Sequence, residues 1–252
     1  MAGEQATDRS VFEITGSDSQ KFLQDLVTND VSELEGKIVY AALLSPQGKY
    51  LADFFLTRKG DTIYLDVATV MAAGLVQRLN MYKLRAEVSI APSMLHVLRG
   101  VGTPPVGALP DPRHPDLGWR QLTTDQGNAT SINWDALRVA HMIPETGVEL
   151  IANETYILEV GFEALSGVDF KKGCYVGQEV TARMKHKTEL RKGLAAVTVS
   201  QKVPVGTPIL AAGRPAGTLY TQDQGRGIAY LRFDRADGEM TAGEASVHLL
   251  TP

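Results

Sequence analysis

Residues 171–180, from Lys171 to Val180, read KKGCYVGQEV and contain the only cysteine in 252 residues. Cys174 stands between Gly173 and Gly177, and the pattern from Gln178 to Lys187 predicts a helix. The cysteine therefore lies in a glycine-flanked loop that feeds a helix N-terminus. Backbone N–H groups and the macrodipole favour an anion there, and glycines allow positive φ or a close backbone approach. A thiol reacts as its thiolate, and an ordinary pKa of about 8.5 leaves it mostly protonated at neutral pH unless positive charge lies nearby. Between Asp169 and Lys192 seven basic residues accompany three acids, a local charge of +4 in a chain whose total is −4. Lys172 is thus read as the partner of Cys174 in a candidate catalytic pair. The competing reading is a small buried hydrophobe, the commonest state of a free cysteine.

Around this pair, Gln178 and Glu179 suit the first turn of the predicted helix, and Arg183 follows Glu179 by four residues, the spacing of a helical ion pair. One thiolate does not build a metal centre alone. His96, His114, His141, His186 and His248 show no paired ligand spacing, so no self-contained metal site is expected.

On the C-terminal side of the loop, Leu194–Val199, Pro208–Leu210, Ala216–Thr221, Ile228–Phe233 and Ala245–Leu250 are short strands. Turn signals at Val205-Gly206-Thr207, Ala212-Gly213-Arg214-Pro215 and Asp237-Gly238 separate them, which predicts a small antiparallel barrel or sandwich. On the N-terminal side, strands at Ser10–Thr15, Val39–Leu44, Tyr50–Thr57, Thr62–Val67 and Ala86–Ile90 mix with helices. One helix is read over Ser17–Val27, capped by Ser17, and a second over Ala68–Tyr82. Ser45-Pro46-Gln47-Gly48 is a hairpin signal, so the class is α+β rather than doubly wound. Val101–Gly118 is a Pro- and Gly-rich loop, Trp134–Met142 a short helix, and Ile143–Gly167 mostly loop. The expected division is a body over 1–187, with two subdomains parted near 100–120, and a C-terminal barrel over 188–252.

Hydrophobic residues make up 44% of the chain and charged residues 21%, as in an ordinary globular protein. The acidic total does not favour nucleic acid, and few aromatics accompany the basic run, so direct nucleic-acid binding is not expected. No apolar window is long enough to span a bilayer. A single cysteine excludes an internal disulfide and points to a reducing compartment. The first residues, MAGEQATDRS, show neither an apolar signal core nor the acid-poor character of a transit peptide. Together these predict a cytoplasmic protein.

KGCYVGQEV, followed by Thr181-Ala182-Arg183, resembles the signature of the YgfZ-type proteins. These are folate-binding relatives of the glycine-cleavage T-protein, an aminomethyltransferase. Gly16–Val31 and Leu43–Phe54 look like that family's opening strand, helix and hairpin. Trp134–Glu145 is similar to its central Arg-containing helix and Pro-Glu turn, and the C-terminal strands look like its small barrel. The resemblance implies an aminomethyltransferase-like, folate-binding fold with a ring-like body and a C-terminal antiparallel β-barrel. It carries over Lys172, Gly173, Cys174, Tyr175, Gly177, Gln178, Glu179 and Arg183 as the working motif. It also implies a role in assembly or repair of [4Fe-4S] enzymes, radical tRNA-thiolation enzymes among them, with tetrahydrofolate or a derivative as ligand and client enzymes or assembly proteins as partners.

Two positions depart from the enzymes. Ala52-Asp53 stands where the aminomethyltransferases have Asp-Asp, and Arg138-Val139-Ala140 where they have Arg-Leu-Glu. A carboxylate is the natural acceptor for the aminopyrimidine edge of a pterin, through two parallel hydrogen bonds, and Ala140 removes one. Active aminomethyl transfer is therefore the alternative reading rather than the first. For folate, Asp53, Glu145 or Glu163 is the candidate acceptor and Tyr82 or Tyr175 the candidate stacking ring, with Arg138 a further candidate contact.

Overall fold

The structure is a computed structural model that describes residues 3–187, 190–236 and 238–250. The chain falls into two compact units, Met1–Ile132 with Glu163–Gln178, and Asn133–Phe162 with Glu179–Pro252. The division expected between 187 and 188 is thus crossed twice. Residues 133–162 and most of the helix after the cysteine loop fall with the barrel, while the loop itself falls with the N-terminal unit. Glu189 of the basic segment and Asp237 of the last turn signal lie outside the described residues.

The first unit opens with β1 (Glu4–Gln5), β2 (Arg9–Thr15) and α1 (Ser19–Gln24). There follow β3 (Val39–Leu44), β4 (Tyr50–Lys59), β5 (Thr62–Ala68), α2 (Thr69–Lys83) and β6 (Ser89–Pro92). The remaining elements are β7 (His96–Gly100), β8 (Leu109–Pro110) and β9 (Trp119–Thr123). One sheet runs β3-β4-β5-β2-β6 and the other β1-β7-β9-β8. Val, Leu, Ile and Phe of β2 to β5 join Leu23 of α1 and Leu75 and Leu79 of α2 in one core, the burial that drives this half to fold. The hairpin at Ser45–Gly48 closes as expected, with Gly48 at φ +75° and a bulge between Leu43 and Leu44.

Two expectations shift. α1 is shorter than Ser17–Val27: its N-cap is Asp18, without a side-chain cap bond. Ser17 Oγ instead donates to Glu87 Oε2 at 2.9 Å. The strands β7 and β9 escaped the sequence pattern because β9 buries a charge. Arg120 is 5% exposed, and Arg120 Nη2 lies 2.5 Å from Asp66 Oδ2. Arg9 Nε reaches Asp66 Oδ1 at 2.6 Å, and Arg113 grips Asp111 through two bonds of 3.0 and 2.8 Å. The Arg120 guanidinium stacks 4.0 Å from the Phe55 ring centroid. Such a network makes a charged strand tolerable in a core, but Asp66 lies more than fifty residues from either Arg9 or Arg120 in sequence.

The second unit holds α3 (Trp134–His141), α4 (Gln178–Lys187, from its second residue on) and six strands. The strands are β10 (Lys192–Val199), β11 (Thr207–Ala211), β12 (Arg214–Asp223), β13 (Arg226–Arg232), β14 (Met240–Ala242) and β15 (Ala245–Leu249). They close as a barrel in the order β10-β13-β12-β11-β14-β15, which removes exposed sheet edges. β14 is the strand the sequence did not show. It is three residues long, too short for an alternating pattern.

Asp66→Asn should leave Arg9 a buried charge without its carboxylate and Arg120 with only its 3.5 Å contact to Asp111, and lower stability by about 3–5 kcal/mol in urea unfolding. Burial alone would raise the Asp111 carboxyl, but Arg113 and Arg120 hold it at about 2, below its ordinary 3.8. Its contribution is therefore present above pH 3.8 and lost as pH falls through about 2. Asp111→Asn should remove about 2 kcal/mol from the neutral-pH stability and flatten the acid limb of the curve.

Candidate functional site: the anchored cysteine loop

Lys172 is buried, and its Nζ donates to three backbone carbonyls, Gln24 at 2.8 Å, Val27 at 2.6 Å and Asn29 at 3.0 Å. These carbonyls line the exit of α1. An ammonium has three N–H donors, and here all three are used. Burial lowers the Lys172 ammonium to about 8, against the opposing pull of Asp30, Asp169 and Asp25. Lys172 is therefore an anchor of the loop, with its three N–H donors spent on carbonyls.

Further bonds stitch the same two segments together. Thr28 Oγ1 donates to the Gly167 carbonyl at 2.7 Å and accepts from the Ala42 amide at 2.9 Å. Asn29 Nδ2 donates to the carbonyls of Tyr40 and Ser166, and the Asp169 amide donates to the Thr28 carbonyl. At the far end of the loop Gly177 adopts φ +82°, and a Cβ there would sit 2.6 Å from the Ser45 carbonyl oxygen. That position needs glycine for both reasons the sequence suggested. Gly173 needs it for neither: its φ is not left-handed and a Cβ would meet nothing within 4 Å.

Between the two fastenings, Tyr175 is buried with its ring centroid 5.3 Å from Lys172 Nζ, and Val176 packs against the core. Cys174 is exposed. The buried-hydrophobe reading of the cysteine is set aside, and what the chain builds is a thiol displayed on a fastened loop. Glu179 and Arg183 are exposed on α4 and Gln178 is half-buried at its start. Two cations of the basic run have partners of their own. Lys172 is turned to carbonyls, and Lys192 Nζ lies 3.8 Å from Glu159 in the barrel unit.

The residues read as folate contacts fall in both units. Asp53 is buried in the first unit and accepts from Tyr40 Oη at 3.0 Å and Tyr50 Oη at 2.6 Å. Tyr82 stands at the edge of α2, partly exposed, and Glu163 is exposed. Arg138 and Glu145 meet in the second unit, at 2.7 Å. Arg138 also binds Glu149 at 2.5 Å, Asp135 at 2.9 Å and the Ile143 carbonyl at 3.2 Å. Glu149 in turn accepts from Thr221 Oγ1 at 2.6 Å. Arg138 is thus fully engaged in tying the 143–149 turn and β12 together. Glu149 was missed because a buried glutamate in a loop has no local signature.

Residues 6–95 match the family described as the GCVT N-terminal domain, and residues 191–252 match the CAF17 C-terminal beta-barrel domain. The glycine cleavage system aminomethyltransferase T from Bartonella henselae superposes with a TM-score of 0.73 at 12% identity, covering 98% of this chain and 84% of that one. The chain has the aminomethyltransferase fold. In sequence it is similar to proteins named iron-sulfur cluster assembly factor IBA57, mitochondrial. The Mycosarcoma maydis homolog is 32% identical over 216 residues, 73% of this chain and 54% of that protein. The Mus musculus protein is 28% identical over 278 residues, 92% of this chain and 78% of that one, and the Homo sapiens protein 26% over 276 residues. This chain spans only about half the length of the Mycosarcoma maydis relative.

These relatives carry the IBA57 name rather than YgfZ. They are named mitochondrial, which overturns the cytoplasmic expectation. That expectation rested on the character of MAGEQATDRS as well as on a lone cysteine; the cysteine records a reducing environment and does not distinguish one reducing compartment from another.

Lys172→Met should leave three carbonyls without their donor and cost about 2–4 kcal/mol by chemical denaturation. Gly177→Ala should also destabilise, whereas Gly173→Ala should stay within about 0.5 kcal/mol of the parent.

Proposed function

We propose that the chain is an accessory factor of iron-sulfur cluster assembly, in which the Cys174 thiol acts on a cluster, a persulfide or a related adduct handed between partner proteins. The observation that carries this reading is the display of Cys174. The chain's one sulfhydryl is exposed on a loop fastened through Lys172 and Gly177, beside a core that makes no packing use of it. The similarity to IBA57 assembly factors supports the same direction. A single thiolate is a soft ligand that binds iron or sulfur reversibly, as transfer requires, and it does not complete a resident metal site. The clients proposed are [4Fe-4S] enzymes, those of tRNA thiolation among them.

Folate enters the proposal only through the fold. Asp53 is held by Tyr40 and Tyr50, and Arg138 by Glu145 and Glu149, and no step is routed through that ligand. Aminomethyl transfer finds no added support. Ala140 is exposed on α3, and no carboxylate of α3 replaces the one it lacks.

Cys174→Ala should fold with unchanged stability, since the side chain buries nothing, yet abolish maturation of [4Fe-4S] client enzymes in cells lacking the wild-type chain. Full aconitase-type and tRNA-thiolation activity in that strain would refute the role given to the thiol. Titration with tetrahydrofolate, repeated on Cys174→Ala, checks the ligand separately. Saturable binding of equal affinity in both is the expected result, and no binding in either removes folate from the reading.

A further inference from the structure

α2 is apolar on two opposite faces, and this unit uses only one. Ala72, Leu75 and Leu79 are buried in the core beneath it. On the other side Val70, Gly74, Gln77, Met81 and Leu84 follow at alternating spacings of four and three, which places them on a single seam at the helical repeat. Val70 is 81% exposed, Met81 70% and Leu84 88%.

Two residues of this seam are disfavoured in the chain as it stands. Gly74 sits mid-helix, where glycine weakens the element, and a Cβ at that position would meet nothing within 4 Å. Nothing inside the unit requires a glycine there. Leu84, the C-cap, holds φ +43° and ψ −103°, a backbone region that suits glycine, while its isobutyl group points into water. Strained backbone of this kind concentrates at sites of contact and function. A notch at Gly74, large apolar groups at both ends and a leucine kept at a glycine position together describe a face shaped for another helix.

Charge selects the occupant. From Thr69 to Leu84 there is no Asp or Glu, while Arg78 and Arg85 stand exposed beside the seam. Glu87, the next acid, is bonded to Ser17. A second copy would set two cationic rims against each other. A lipid surface is served by Trp, Phe or Leu along the whole apolar face, whereas the middle of this seam is Gly74 and Gln77.

We infer that the exposed seam of α2 is a docking surface for an amphipathic helix of a partner protein, one with an apolar ridge and a carboxylate-bearing rim. The surface is independent of Cys174 and of the role proposed for it.

The test uses the full chain with a synthetic helical peptide carrying Leu at its a and d positions and Glu along both rims. Saturable binding is expected, with NMR shift changes confined to residues 70–85. The same peptide with Lys rims should bind at least tenfold more weakly. Met81→Glu and Leu84→Gly should each weaken binding at least tenfold, and Leu84→Gly should melt no lower than the parent because glycine relieves the strained φ. Absence of peptide binding, equal affinity for the Lys-rimmed peptide, or unchanged affinity in both variants would overturn the inference. So would binding to phosphatidylserine vesicles, or a wild-type dimer, that Met81→Glu abolishes, since these assign the face to a membrane or to a second copy.

Discussion

The Lys172 ammonium, held by the carbonyls of Gln24, Val27 and Asn29, is the interaction on which the cysteine loop depends. A helix end leaves carbonyls that need donors, and the exit of α1 receives its donors from a residue more than 140 positions later. The exchange is mutual. The α1 exit gains a cation, and the segment that returns from the other unit gains a fixed point. Thr28, Asn29 and Asp169 extend the same seam. Because this end of the loop is fixed by Lys172 and the other by Gly177, the residues between have little freedom, and Cys174 is presented in one place.

That arrangement changes what the basic run means. Seven cations within 24 residues suggest, in one dimension, a field focused on the thiol. In three dimensions Lys172 faces inward and Lys192 pairs with Glu159 in a different unit. Charge density along a chain becomes a field at an atom only when the fold gathers it. The motif's lysine has a mechanical role that charge counting does not announce.

Most of the secondary structure was legible because it follows from local rules. The apolar runs of β3 and β4, the Ser45–Gly48 turn, the helices α2 to α4 and the longer strands of the barrel carry local patterns or turn chemistry that no distant residue alters. β14 is too short for a pattern, and the other illegible elements turn on distant partners. β7 and β9 cross a sheet whose buried Arg120 is neutralised by Asp66, and α1 begins where Glu87 captures Ser17. In each case a partner far along the chain decides whether a polar residue is acceptable where it lies. The same holds for Arg138, whose partners Glu149 and the Ile143 carbonyl no local pattern announces.

By itself the sequence determined the α+β class, a C-terminal domain of short antiparallel strands and the glycine-flanked loop that carries the only cysteine, since each rests on a local pattern of size, polarity or backbone freedom. Tertiary structure alone decided that Cys174 is exposed, that Lys172 is an anchor, and that α2 shows a second apolar face to solvent. Exposure and pairing are properties of which surfaces meet, and a burial pattern closes only when residues distant in sequence are brought to the same place.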